Sequence, residues 1–347
     1  MAVLCFCAIT SAGKAAGTKK VFCFYYNWYQ TPAFDGRDEH WSHWINGKDH
    51  GFPGGDNIGS DYFPSLGNYS TKDPAIVARH MKMIAGAGID AIFLTYWGKD
   101  HFTAGSIPVI FEAAGKAGVK VGFHIEPYGG RDPASVKADI KYIIDTWGKH
   151  PAFYRSDTGK PLFFIYDSYL SKANEWAEVL QSKGSNTIRD TPYDGEFIGL
   201  WVKSNEQDFF LNSGFDGFYT YFVSKVFVYG SDPKNWPEMQ EWALRNGKQF
   251  IPCVGPGYID ERIRPENSVN TQDRKNGKYY DDYWKRAIAV KPQTIAITSF
   301  NEWHEGTQIE PAKPFKTNGF TYLDYRPLKE DFYLVRTRYW SDQFLKR

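Results

Sequence analysis

Eight short apolar runs, each followed by a stretch with helical periodicity, constrain this chain more than any other feature. The runs are Val21–Tyr26, Asp90–Trp97, Lys120–Glu126, Pro161–Asp167, Phe197–Val202, Gly217–Phe222, Phe250–Gly255 and Thr294–Phe300. Each is largely apolar on both faces, as parallel strands are when both faces are covered. The helical stretches between and after them are 74–88, 105–117, 133–149, 172–183, 204–212, 233–246, 281–290 and 329–344. Three of these open on a proline behind Asp73, Asp132 or Asp232, which pairs a capping side chain with a residue preset for the first helical position. Eight strand-then-helix units predict the α/β class and a single (β/α)8 TIM barrel over residues 20–347. Residues 1–19 combine a short apolar run with small residues, and are read as an N-terminal extension or a cropped export signal. The apolar run, Ala2 to Thr10, is too short to span a bilayer, which takes about 20 residues.

Charge narrows the function classes. Lys and Arg number 41 against 40 Asp and Glu, a formal net charge of +1, with no long run of one sign. A nucleic-acid or polybasic membrane binder needs a concentrated basic face, which this pattern lacks. Two of the four cysteines fall in the first seven residues, so no disulfide scaffold is available. Cys23 and Cys253 lie inside strand runs and are read as buried free thiols.

The connections at 30–72 and 256–280, after the first and seventh strands, are long and rich in Gly, Pro, Asn and aromatics. Long loops in a compact domain usually carry function, and in this barrel the loops after the strands form the active face. Polar and aromatic residues collect there: Tyr25 and Tyr26, Trp97, His124 and Glu126, Asp167, Tyr221, Tyr258, and Asn301 to Glu305. Glu302 and Glu305 leave the eighth strand as a pair, as glycoside hydrolysis requires of its two acidic groups. A carboxyl beside Trp303 is in the kind of apolar setting that raises its pKa. His124 and Glu126 alternate onto one side of their strand, where they either contact substrate hydroxyls or form a satisfied core pair; Asp167 reads the same way. His40 and His43 sit in an H-x-x-H spacing on a loop with no matching Cys or His cluster, which favours a structural or sugar-contacting role over a metal. Trp28, Trp41, Trp44, Trp97 and Trp303 stand at loop junctions, and sugar C–H faces pack on such rings.

Segments 22–29, 56–69, 123–128, 150–155, 214–222, 250–264 and 297–310 resemble glycoside hydrolase family 99, most specifically in the Phe-Asn-Glu-Trp-His-Glu-Gly-Thr-Gln-Ile-Glu run from Phe300 to Glu310. The resemblance extends from about residue 20 to the C-terminus. It implies a (β/α)8 barrel that cleaves internal α-1,2-mannosidic bonds with retention. Eukaryotic members act on glucosylated high-mannose N-glycans, and bacterial relatives act on α-mannan. By position, Glu302 would assist attack by the sugar's own 2-hydroxyl and Glu305 would be the acid/base. Tyr25 or Tyr26, Trp97, His124, Glu126, Tyr221, Tyr258, Asn301 and Trp303 match the family's cleft. A Trp at position 97 resembles the bacterial mannan-cleaving branch.

The resemblance also implies no metal or cofactor and an α-1,2-mannosyl oligosaccharide as substrate; the charge balance argues against nucleic acid, and a monomer with no obligate protein partner is expected. It implies the Golgi lumen for a eukaryotic chain and the periplasm or exterior for a bacterial one. The competing readings are a non-catalytic glycan-binding barrel and a metal-dependent hydrolase using His40 and His43.

Overall fold

The computed structural model describes residues 17–43 and 51–346. Trp44, like most of the N-terminal extension, lies outside them. The barrel strands are β1 (Lys20–Tyr25), β2 (Ala91–Tyr96), β3 (Lys120–Ile125), β4 (Leu162–Ile165), β5 (Glu196–Leu200), β6 (Gly217–Tyr219), β7 (Gln249–Ile251), β8 (Cys253–Val254) and β9 (Thr294–Ile297). All are parallel in one sheet, ordered β7-β6-β5-β4-β3-β2-β1-β9-β8. The seventh expected strand is broken at Pro252, which has no N–H to give the ladder. Its carbonyl still accepts from Ala296 N at 3.1 Å. Because β7 pairs with β6 and β8 with β9, this broken strand closes the sheet into the expected barrel.

Helices α2 (Pro74–Gly86), α3 (Ile107–Ala117), α4 (Pro133–Trp147), α5 (Ala173–Leu180), α6 (Gln207–Asn212), α7 (Trp236–Arg245), α8 (Lys278–Ala289) and α9 (Phe332–Leu345) follow the strands; a one-turn α1 (Pro32–Asp35) lies in the first long loop. Asp73 accepts from Ala75 N at 2.8 Å and Asp132 from Ser135 N at 2.7 Å, so both cap as their spacing predicts. Asp232 does not cap a helix. Residues 230–235 form turns, and α7 starts only at Trp236 behind Asn235.

The barrel interior is filled in layers. Phe22, Phe93 and Phe164 pack with centroids 4.6–6.4 Å apart, and Phe24 and Tyr219 stack above them on Phe164 at 5.2 and 4.8 Å. Gly122 is required at this level, since a Cβ there would meet the Phe93 ring at 2.3 Å. Above the aromatic layers the inward positions turn polar. Thr95 pairs in register with His124, and Tyr26, Glu126 and Tyr221 continue the same faces past the strand ends. Packing therefore plugs the barrel below, and the acidic and imidazole side chains named here gather at its C-terminal mouth. Cys23 and Cys253 are buried free thiols. Among the described residues, no helix is long and apolar enough to cross a membrane.

Candidate active site

The loop leaving β9 is held by its own backbone and by the barrel. Phe300 N donates to Phe24 O at 2.9 Å, extending the pairing of β9 with β1. Asn301 then completes a reciprocal bridge: its Nδ2 donates to Tyr26 O and its Oδ1 accepts from Tyr26 N, both at 2.8 Å. Ser299 Oγ accepts from Glu302 N at 2.7 Å, and Ile259 N donates to Glu305 O at 2.9 Å. This scaffold presents Glu302 and Glu305 at the barrel mouth.

The two carboxyls differ in depth. Glu302 is 3% exposed, and its Oε1 accepts from His304 N at 3.1 Å. Burial, with the neighbouring Glu305 charge second, pushes its pKa well up. Glu305 keeps 19% of its side chain in solvent and lies 3.7 Å from Arg264 Nη1. Burial raises it to about 7, with Arg264 holding it back and Asp260 and Glu126 adding to the rise. Burial raises the proton affinity of both carboxyls, and the charge of Glu305 opposes ionisation of Glu302, so the pair favours holding one proton, as one acid and one base in the same site require.

Around them stand groups that recognise hydroxyls. Glu126 is buried and accepts from Thr95 Oγ1 at 2.6 Å. His124 Nδ1 lies 3.2 Å from Glu126 Oε1 but out of line for a hydrogen bond, while its Nε2 meets Tyr219 OH at 2.7 Å. Tyr26 OH and Tyr221 OH are hydrogen-bonded, and both phenols are pushed up by burial and by the carboxylates, Glu302 and Glu305 among them. Tyr221 stacks on His124 with centroids 5.7 Å apart. Tyr258 donates to Asp260 Oδ2 at 2.9 Å and feels the Glu305 charge. Half-buried Trp97 donates from Nε1 to Thr95 Oγ1 at 3.0 Å, and its ring lies 6.5 Å from that of Trp28. Asp167, half-buried with φ 47, closes β4; burial raises its pKa, and Arg131 binds its carbonyl at 2.9 Å.

Three residues expected in the cleft are placed behind it. Tyr25 points outward from the barrel, its OH 2.8 Å from His80 Nδ1, because β-strand neighbours alternate faces and Tyr26 takes the inner one. Trp303 is fully buried and donates from Nε1 to Glu310 Oε2 at 3.0 Å and to Tyr69 OH at 3.1 Å. Its indole is held inside the loop by these bonds. Asn301 spends its amide on Tyr26, as described. Trp41 is likewise internal, stacked on Tyr29 at 4.2 Å.

Arg264 and Asp260 escaped the sequence reading of roles although both fall in the family-like run 250–264. Their i, i+4 spacing was the available signal, but it does not point to Glu305. The structure brings His304 beside His40 and His43 as a third imidazole, one ring nitrogen of each lying within 4.8 Å of the others.

Comparisons with known proteins identify the family. The family Glycosyl hydrolase family 99 matches residues 17–346. Mouse glycoprotein endo-alpha-1,2-mannosidase is 46% identical over 343 residues, covering 93% of this chain and 74% of its own length. A human glycoprotein endo-alpha-1,2-mannosidase-like protein is 44% identical, over 93% and 75% of the two chains. The structure of the endo-alpha-mannosidase of this family from Bacteroides thetaiotaomicron superposes with a TM-score of 0.90 at 49% identity, covering 94% of this chain and 97% of that one. This chain belongs to glycoside hydrolase family 99.

Proposed function

We propose that the chain is an endo-α-1,2-mannosidase that hydrolyses internal α-1,2-mannosidic bonds of a mannose-containing oligosaccharide with retention of configuration. The observation that carries this reading is the coupled pair Glu302 and Glu305, delivered by one loop to the barrel mouth with both proton affinities raised. The names of the mouse and Bacteroides relatives support the bond type.

The reaction follows from the placement of the two acids. In the reactive form Glu302 is ionised and Glu305 carries the proton, an arrangement that the bound sugar has to select, because burial alone favours the proton on the deeper Glu302. Glu302 takes the proton of the 2-hydroxyl, the freed oxygen attacks C1, and the C1–oxygen bond to the leaving sugar breaks as Glu305 protonates that oxygen. Glu305, now a carboxylate, removes a proton from water, which opens the 1,2-anhydro ring at C1. Glu302 returns its proton to the 2-oxygen. Two inversions at C1 give net retention. A backbone N–H on Glu302 favours its ionised form, and Arg264 favours Glu305 as carboxylate in the second half. Neither step calls on a metal.

His124, Glu126, Tyr26, Tyr221 and Tyr258 are proposed to bind the sugar hydroxyls, with Trp97 on the outer rim selecting the sugar beyond the cleaved mannose. Residues 20–347 would act as one catalytic unit, a monomer with no obligate partner, on glycans of the secretory pathway or on mannan outside the cell. Tyr25, Asn301, Trp303 and Asp167 are proposed to support the site from behind or beside it. Incubation with a defined α-1,2-mannosyl oligosaccharide tests the reading: release of a disaccharide is the expected result. Saturable binding without release would favour the glycan-binding barrel instead.

A further inference from the structure

Two ends of the molecule far apart in sequence bring three imidazoles together beside the acidic pair. His40 and His43 come from the loop after β1, and His304 from the loop after β9. The ring centroids of His43 and His304 are 4.2 Å apart, and those of His40 and His304 are 6.2 Å apart. His304 is 2% exposed, and its Nδ1 lies 2.7 Å from Gly59 O. A carbonyl can only accept, so Nδ1 carries the hydrogen and Nε2 is left with a bare lone pair. Among the described residues that buried Nε2 has no hydrogen-bond partner, and neither has the buried His40 Nδ1. A carbonyl fixing one ring nitrogen so that the other offers its lone pair is the arrangement of metal-ligating histidines. Trp28 stacks flat on His40 at 4.5 Å and further limits its orientation.

We propose that His40, His43 and His304 form a binding site for a late first-row divalent cation of the zinc type, which fastens the loop after β1 to the loop that carries Glu302 and Glu305. Neutral imidazole suits zinc, copper and nickel, whereas magnesium and calcium require oxygen ligands that this cluster lacks. Zinc–nitrogen bonds of about 2.0–2.1 Å set tetrahedral ligands about 3.3 Å apart. The three nitrogens, within 4.8 Å of one another, therefore need only a small inward movement. The fourth position would be taken by water or another small ligand. The site is additional to the hydrolysis, which the two glutamates carry, and it does not depend on the functional reading above.

The test uses the tag-free chain, stripped of metal by a chelator. Titration with Co2+ should give one ion per chain with the visible absorption of a four-coordinate site, displaced by equimolar Zn2+ and untouched by Mg2+. Zn2+ should also raise the Tm of the unaltered chain. His40→Ala and His43→Ala should each weaken Zn2+ binding by at least about tenfold. No Zn2+-dependent rise in Tm of the unaltered chain, or an affinity unchanged in both variants, overturns the proposal.

Discussion

Arg264 stands between two acids: its Nη1 is 3.0 Å from Asp260 Oδ2 and 3.7 Å from Glu305 Oε1. The cation is shared, so it moderates Glu305 without cancelling the effect of burial, and Glu305 settles at about 7. An acid that must be protonated to act loses function as pH rises through that value, so kcat/KM should fall on the alkaline side of about 7. Removing the cation disfavours the carboxylate and favours the protonated acid. Arg264→Gln should therefore move the alkaline limb of the pH profile to higher pH. A limb that stays in place would detach Glu305 from it.

Glu302→Gln keeps shape and most hydrogen bonding but removes the base. Turnover should drop by about 10²–10⁴, the usual contribution of general acid–base catalysis. The Kd for an uncleaved oligosaccharide, read by calorimetry, should change little. Loss of binding along with turnover would make Glu302 a binding group.

Glu305→Gln should depend on the leaving group. A departing sugar needs its oxygen protonated, whereas an activated aryl leaving group does not. The ratio of the two kcat/KM losses should exceed about tenfold. Equal losses on both substrates would remove Glu305 from the acid role.

Behind the loop, Glu310 is fully buried and accepts from Tyr69 OH at 2.7 Å, Trp303 Nε1 at 3.0 Å and His80 Nε2 at 3.1 Å. Glu310→Ala strands three buried partners and should destabilise the fold by about 3–5 kcal/mol, as breaking a buried pair does. Chemical denaturation measures this directly. A loss under about 1 kcal/mol, the size of an exposed pair, would contradict the packing described.

Much of this was legible in the chain itself, for identifiable reasons. The strand count follows from apolar runs, and the acid pair from residues adjacent in sequence at a strand end. What escaped depends on direction or on distance along the chain. Tyr25 and Tyr26 have equal claims by residue type, and only the phase of β1 sends one to His80 and the other to Tyr221. Trp303 sits between two acids yet turns away, because a tight loop has no fixed period from which to read side-chain direction. Pro252 breaks the expected seventh strand, and no local pattern records that both halves still pair and close the ring. Arg264 and His304 matter through neighbours that arrive from other loops, which no local spacing records.

Two glutamates opening an internal α-mannoside with two inversions at one carbon is the central step. Proton NMR of the first-formed product from an α-1,2-mannosyl oligosaccharide tests this most directly. A disaccharide appearing first as the α anomer, and absent with Glu302→Gln, is the predicted result. A β anomer appearing first, or single mannose units trimmed from the chain end, would contradict it.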